Sequence, residues 1–284
     1  MILNKKQLAM PASGAERQKW WNTFHMQFDL VSDLHIDVWD ESHQEDWLRH
    51  QSSNVLVVAG DVSDWVEQTC EYVDRVLCVA YDTVLIVDGN HEHQPQFPSL
   101  KKSVSNWEKC ISQTDAVYLG FAPVKVDGVN FFGKCGWWSF DFGEPNVSEQ
   151  TSMDALIKGT TWGRDTYLAQ KCQGLEDAIW LKEQMSEMQK QDDPVVVVTH
   201  SLPHPSCISW NIYPQNNAFV GLYGNSYYDW TFEKDRKNLI KYWLFGHNHD
   251  CKDIPYGDAR LISNPRGRPE DWNRREYKPI TLEV

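Results

Sequence analysis

The sequence predicts an α/β fold: a mixed sheet, or two stacked sheets, with helices packed outside. Three observations carry that prediction. Five short runs are apolar almost throughout, as strands covered on both faces must be. Segments of helical periodicity alternate with them. A turn-linked pair of β-type runs in the middle, with further strand-like runs at the C-terminus, argues against a purely parallel sheet.

Taken in order, residues 1 to 25 read as an N-terminal extension, in which MPASGAERQ is small and polar, without apolar periodicity. Residues 26–284 read as a single domain. The runs MQFDLVSD (26–33), NVLVVAGD (54–61), TVLIVDGNHE (83–92), PVVVVTHS (194–201) and YWLFGHNHD (242–250) each have strand length and end in polar residues. Helices are expected over Trp65 to Ala80, with Val66, Val73, Val76 and Leu77 on one face, and over Pro98 to Ser112. A longer one is expected over Asp165 to Gln191, its apolar face marked by Leu168, Cys172, Leu175 and Ile179. VKVDGVNFFG (124–133) carries Asp127-Gly128, a hairpin turn pair. DARLISNPRG and PITLEV read as C-terminal strands.

The polar residues of those runs fall at their C-terminal ends: Asp33 and His35, Asp61, Asn90 and His91, His200, then His247 and His249. Ligand sites of α/β sheets lie at strand carboxyl ends, so these groups are candidates to converge. Each alone has a plain explanation. A histidine after a strand is usually solvated, an aspartate after glycine usually shapes a turn, and asparagine after glycine suits a left-handed residue. Five strand ends carrying the same residue types weaken that reading. Asp, His and Asn form a mixed oxygen and nitrogen set suited to Mn²⁺, Fe²⁺ or Fe³⁺, or Zn²⁺.

In sequence order, DLH (33–35), GD-x-x-D (60–64), GNHE (89–92), TH (199–200) and GHNH (246–249) resemble the motifs of the calcineurin-like metallophosphoesterases, and SNPRG (263–267) extends the likeness. The resemblance implies a four-layer αββα sandwich of two mixed sheets around a dinuclear metal centre. It places Asp33, His35 and His249 on one metal and Asn90, His200 and His247 on the other, with Asp61 as a bridge using both carboxylate oxygens. The chemistry implied is hydrolysis of a phosphomonoester or phosphodiester by a bridging hydroxide. His91 would bind no metal and would serve the leaving oxygen as general acid. Asp64 would accept its other N–H, or would cap the helix that follows. Asn90 and His91 would also contact the substrate phosphate.

Protein serine/threonine phosphatases of this superfamily carry arginine after GD-x-x-D, where this chain has Trp65. Arg266 could substitute as a phosphate clamp, or could form a structural salt bridge. His93 and His204 could line the pocket or be solvated loop residues. The aromatic stretches GWWSFDFGEP (136–145) and Trp210 to Trp230 could stack on a nucleobase or aryl group, or simply cover the sheet edge.

The totals narrow the partners. With 27 basic and 40 acidic side chains the formal charge is −13, which opposes a long nucleic acid and leaves a small phosphorylated substrate. Seven cysteines without a C-x-x-C pair suit a reducing compartment. No apolar run approaches the roughly 20 residues of a membrane span, and no secretory signal is expected, so the chain reads as cytoplasmic. Two other functions fit the motifs: a nuclease of the same superfamily, and a non-catalytic metal-binding scaffold.

Overall fold

A computed structural model describes residues 26–96, 99–143, 148–159, 164–209, 218–271 and 276–284. The N-terminal extension of residues 1–25 therefore lies outside the described residues. So do Trp210 and Tyr213 of the second aromatic stretch.

Among the described residues, eleven strands form two sheets. The first contains β1 (Gln27–Val31), β2 (Val55–Ala59), β3 (Thr83–Val87), β4 (Val117–Tyr118) and β11 (Ile280–Glu283), in the order β11-β1-β2-β3-β4. The second contains β5 (Val124–Val126), β6 (Val129–Lys134), β7 (Val195–Thr199), β8 (Ile240–Phe245), β9 (Lys252–Tyr256) and β10 (Ala259–Ser263), in the order β5-β6-β7-β8-β10-β9. Strands β1 to β4 are mutually parallel, as are β6, β7, β8 and β10. The antiparallel pairs β1·β11, β5·β6 and β9·β10 make both sheets mixed. Asp127 and Gly128 both take positive φ between β5 and β6, which closes the hairpin that this dipeptide predicts.

The apolar strands are apolar because each faces two cores. Val57 and Ala59 of β2, Leu85 and Val87 of β3, and Val196 and Val198 of β7 interleave in the layer between the sheets. The intervening Leu56, Val58, Val84 and Ile86 face a helical layer that contributes Val66, Val73, Trp107 and Ile111. Val195 and Val197 face the opposite helical layer, with Leu181 and Met185. Alternate residues of one strand point to opposite faces, so a strand buried on both sides has no polar position to spare. Each fully buried valine contributes roughly 2 kcal/mol. The result is a four-layer αββα sandwich.

On the first sheet lie α1 (Val66–Tyr72), a π turn (Val73–Leu77), α2 (Cys78–Ala80) and α3 (Leu100–Ile111). Ser99 caps α3, its side chain accepting from the Lys102 N–H. On the second lie α4 (Glu149–Gly159), α5 (Arg164–Met188) and α6 (Asp229–Lys234). Helix α5 corrects the expected face. Leu168, Cys172, Leu175 and Ile179 are exposed, while Tyr167, Gly174, Ala178, Leu181 and Met185 are buried. Apolar residues lie on both sides of this helix, so periodicity alone does not choose between them. The buried side also carries Gln170 and Asp177, polar residues that mislead a hydrophobic count. Gln170 accepts from the Trp138 indole, and Asp177 from the amides of Gly136 and Trp137.

Among the described residues, no helix is long and apolar enough to cross a membrane.

Candidate metal centre

The carboxyl ends of the parallel strands of both sheets meet at one rim. Hydrogen bonds cross between the sheets there, among them Ser32 N–H to the Asn264 carbonyl at 3.1 Å and His200 Nδ1–H to the Ala59 carbonyl at 2.9 Å. Two motif glycines permit close approaches at this rim, Gly246 between the sheets and Gly89 between neighbouring strand ends of the first sheet. A Cβ on Gly246 would stand 2.6 Å from Asp33 Oδ2, and one on Gly89 would stand 2.5 Å from the Asp61 nitrogen. Neither distance is tolerable between unbonded atoms, so glycine is required at both positions.

The chain turns sharply where it presents these side chains. Asp33, His35, Asp61, His247 and His249 all have φ between 44° and 74°, in the left-handed region. For residues with a Cβ that conformation costs roughly 1 kcal/mol each. Asp and His are among the types that tolerate it best. The aspartates are braced from outside: Asp33 Oδ1 accepts the His247 N–H at 2.9 Å, and Asp61 Oδ1 accepts the His91 N–H at 2.8 Å.

Among the described residues, groups able to hold a metal ion include Asp33, His35 and His249, and Asp61, His200 and His247; His35 also groups with Asp61 and His91. Hydrogen bonding decides which ring nitrogen faces each. His200 gives Nδ1–H to Ala59, so Nε2 points inward, 3.0 Å from Asp61 Oδ2. His247 gives Nε2–H to the Leu222 carbonyl at 3.0 Å, which leaves Nδ1 free to bind. His249 has Nδ1 2.6 Å from Asp271 and Nε2 3.0 Å from His35 Nε2. Burial pushes His35 down to about 2, and burial together with His200 pushes His247 down to about 3, so both rings are neutral with lone pairs available.

Asp61 Oδ2 joins the two clusters, lying 3.0 Å from His200 Nε2 and 4.0 Å from His35 Nε2. The other oxygen, Oδ1, accepts the His91 amide N–H. Buried Asp33 Oδ2 and Asn90 Oδ1 have no hydrogen-bond partner among the described residues. Unpaired buried polar atoms are costly, and these are hard oxygen donors beside the imidazole clusters in sequence, so the residues present fit cations. Electrostatics agree. Burial works against a charge on His200, yet Asp61 and Asp33 raise it to about 10, because the paired carboxylates draw positive charge to this spot.

Around the clusters lie further titratable residues bonded to their members. His91 Nδ1 is 2.6 Å from Asp64 Oδ1, and Trp65, not Asp64, occupies the N-cap of α1. Burial opposes a charge on His91, but Asp61 and Asp64 outweigh it and raise the pKa. Buried Glu92 accepts from the amides of Asp61, Val62, Ser63 and Gly89, tying the GD and GNHE turns together.

Three residues near the clusters have no signal in the motifs: Asp37, Asp271 and Arg268. Asp37 shares a cluster with His35 and Asp64. Asp271 holds His249. Arg268 Nη2 lies 3.5 Å from His91 Nε2. A second arginine in the NPRGR stretch is visible in the sequence, but nothing local distinguishes it from Arg266. Arg266 is buried elsewhere: it donates to the carbonyls of Gln44 and His43 and lies over Trp39, its centre 4.1 Å from the ring. There it lines a cavity of about 600 Å³ with Trp39, Trp47 and Tyr277. Among the described residues, neither a salt bridge nor a place in the metal clusters is found for it.

His93 is fully buried between Asp88 (2.8 Å) and Ser103 (2.9 Å), not solvated. His204 is half-buried, bonded to Ser206 and packed on Tyr256. The first aromatic stretch is a buried cover, with Trp137, Trp138, Phe140 and Phe142 inside. It also supports the site, since Trp138 stacks on His247 at 5.4 Å and Tyr223 packs on the same ring at 5.2 Å.

This fold and these clusters define a metal-site phosphoesterase architecture. The chain belongs to the calcineurin-like phosphoesterase family, whose sequence model matches residues 26–251. A comparison with curated proteins finds no match. Among solved structures, the chain is similar to the phosphopantetheinyl hydrolase of Mycobacterium tuberculosis at 16% identity and TM-score 0.68, over 91% of this chain and 95% of that one. It is also similar to a dimetal phosphatase of Danio rerio at 15% identity and TM-score 0.51, over 91% and 92%. A Thermus thermophilus protein has 12% identity and TM-score 0.51, over 92% and 99%. At these identities the likeness shows the fold.

Proposed function

We propose that this chain is a dinuclear metal-dependent hydrolase of a phosphomonoester or phosphodiester. Asp33, His35 and His249 hold one ion, and Asn90, His200 and His247 hold the other. The observation that carries the reading is Asp61 Oδ2, one buried oxygen shared by two His/Asp clusters. Bound there, two Mn, Fe or Zn ions would neutralise phosphoryl charge and acidify an attacking water.

The protein's own groups do the rest. Asp61 sets the spacing of the two sites. His91, its Nδ1–H held by Asp64, carries a proton on Nε2 toward the departing oxygen. Asn90 and His91 flank the substrate phosphate. Trp138 and Tyr223 fix the His247 ring and keep that side of the centre dry.

The natural substrate is a small phosphorylated molecule, since the −13 charge repels a long nucleic acid. The cysteines are scattered through the chain without a C-x-x-C pair, which suits a reducing, cytoplasmic setting.

The test is metal analysis of the purified protein, with turnover of an aryl phosphate, a bis-aryl phosphate and a phosphopantetheinyl ester under Mn²⁺, Fe²⁺ and Zn²⁺. Asp61→Asn and His247→Ala are expected to abolish both metal content and turnover. If both variants keep metal and activity, the reading is wrong.

A further inference from the structure

Arg268 is held by its main chain against the cluster of Asp33, His35 and His249. Arg266 N–H bonds the Ser32 carbonyl and Gly267 N–H bonds the Asp33 carbonyl, at 2.9 and 2.8 Å. Arg268 N–H then donates to Asp271 Oδ2 at 2.7 Å, the oxygen that also holds His249. The side chain is thereby directed at the rim beside His91. Its donors are largely unspent. Nε is buried without a partner among the described residues, and Nη2 reaches only His91 Nε2, at a separation too long for a good hydrogen bond. Arg266, two residues earlier, has its guanidinium committed to two carbonyls and an indole.

Two nitrogens 3.5 Å apart leave room for one oxygen at about 2.8 Å from each, the length of a charge-assisted hydrogen bond. We propose that Arg268 binds the substrate's phosphoryl group, its Nη2 and His91 Nε2 gripping a single phosphoryl oxygen between them. This rests on the phosphoesterase reading above. It supplies from the C-terminal side of the site the guanidinium that is missing at Trp65. A planar fork also explains why arginine and not lysine would stand here.

The probe is inorganic phosphate, titrated calorimetrically into the metal-loaded protein. Arg268→Ala is expected to weaken phosphate about tenfold or more. Arg268→Lys, which keeps the charge and the main-chain bonds, recovers only part of that. His91→Ala weakens phosphate too. In the double variant the loss is smaller than the product of the two single losses, because both groups grip one oxygen. Metal content and thermal melting are read on every variant, so that damage to the fold is recognised.

Phosphate affinity and kcat/KM both within twofold of wild type in Arg268→Ala would overturn the proposal and leave the hydrolase reading standing. Losses that multiply in the double variant would overturn the shared oxygen. Tight, Arg268-dependent phosphate binding by a protein that cleaves no ester would instead overturn the hydrolase reading alone.

Discussion

Oδ2 of Asp271 lies 2.6 Å from Nδ1 of His249 and 2.7 Å from the backbone nitrogen of Arg268, so one carboxylate oxygen orients a ring of the first cluster and anchors the neighbouring loop. A carboxylate behind a histidine fixes its tautomer and raises its basicity. Asp271→Ala is therefore expected to lower metal affinity at the Asp33, His35 and His249 cluster by roughly 10- to 100-fold. Metal titration of stripped protein would show one ion weakened and the other retained. Equal weakening of both would mean that Asp271 acts on the whole fold.

The Asp64–His91 pair makes a prediction in pH. Burial works against the protonated ring, while Asp61 and Asp64 raise its pKa. The acid form is present below that pKa and is lost as pH rises through it. Asp64→Asn can keep an acceptor on Nδ1–H but removes the charge, so the pKa falls. The alkaline limb of kcat/KM should move to lower pH, with the acidic limb unchanged. A pH profile measured on a substrate with a poor leaving group checks this.

Removing metal should cost stability. Ligand that binds the folded state alone stabilises by about 4 kcal/mol at roughly a thousandfold excess over its Kd. For a chain of this size that corresponds to a fall in melting temperature of about 10 °C on chelation. Adding back Mn²⁺ or Zn²⁺ should restore it in wild type but not in Asp61→Asn.

The two sides of α5 predict opposite outcomes. Leu181→Ala and Met185→Ala remove fully buried side chains and should cost roughly 2–5 kcal/mol. Leu168→Ala and Ile179→Ala act on exposed positions and should change stability by less than about 0.5 kcal/mol. Denaturant midpoints for the four variants separate the two faces.

Much of this structure is legible in the sequence, for a physical reason. Strands such as VLVVA and VVVVT are buried on both faces, so continuity of apolar residues marks them directly. The polar groups that end them are conspicuous because they interrupt that continuity. What lies beyond the motifs is harder to read. Asp271 and Arg268 reach the centre only because β10 delivers its following loop beside β1, a relation over more than 200 positions that no local spacing encodes. The Leu222 carbonyl that sets the His247 tautomer is invisible in principle, since every residue has a carbonyl. Helix α5 fails in another way: its inward Gln170 and Asp177 are polar because they bond neighbouring groups of the cover, and a burial pattern read from hydrophobicity skips them.

The left-handed turns at Asp33, His35, Asp61, His247 and His249 have an implication for directed evolution. Glycine adopts that backbone without strain, so at these five positions a library selected for heat resistance alone has a reason to accept glycine. Each such winner would discard a side chain that faces the centre. Selection for endurance and selection for turnover should therefore pull the same codons in opposite directions, and sequencing the two surviving pools would reveal the conflict position by position.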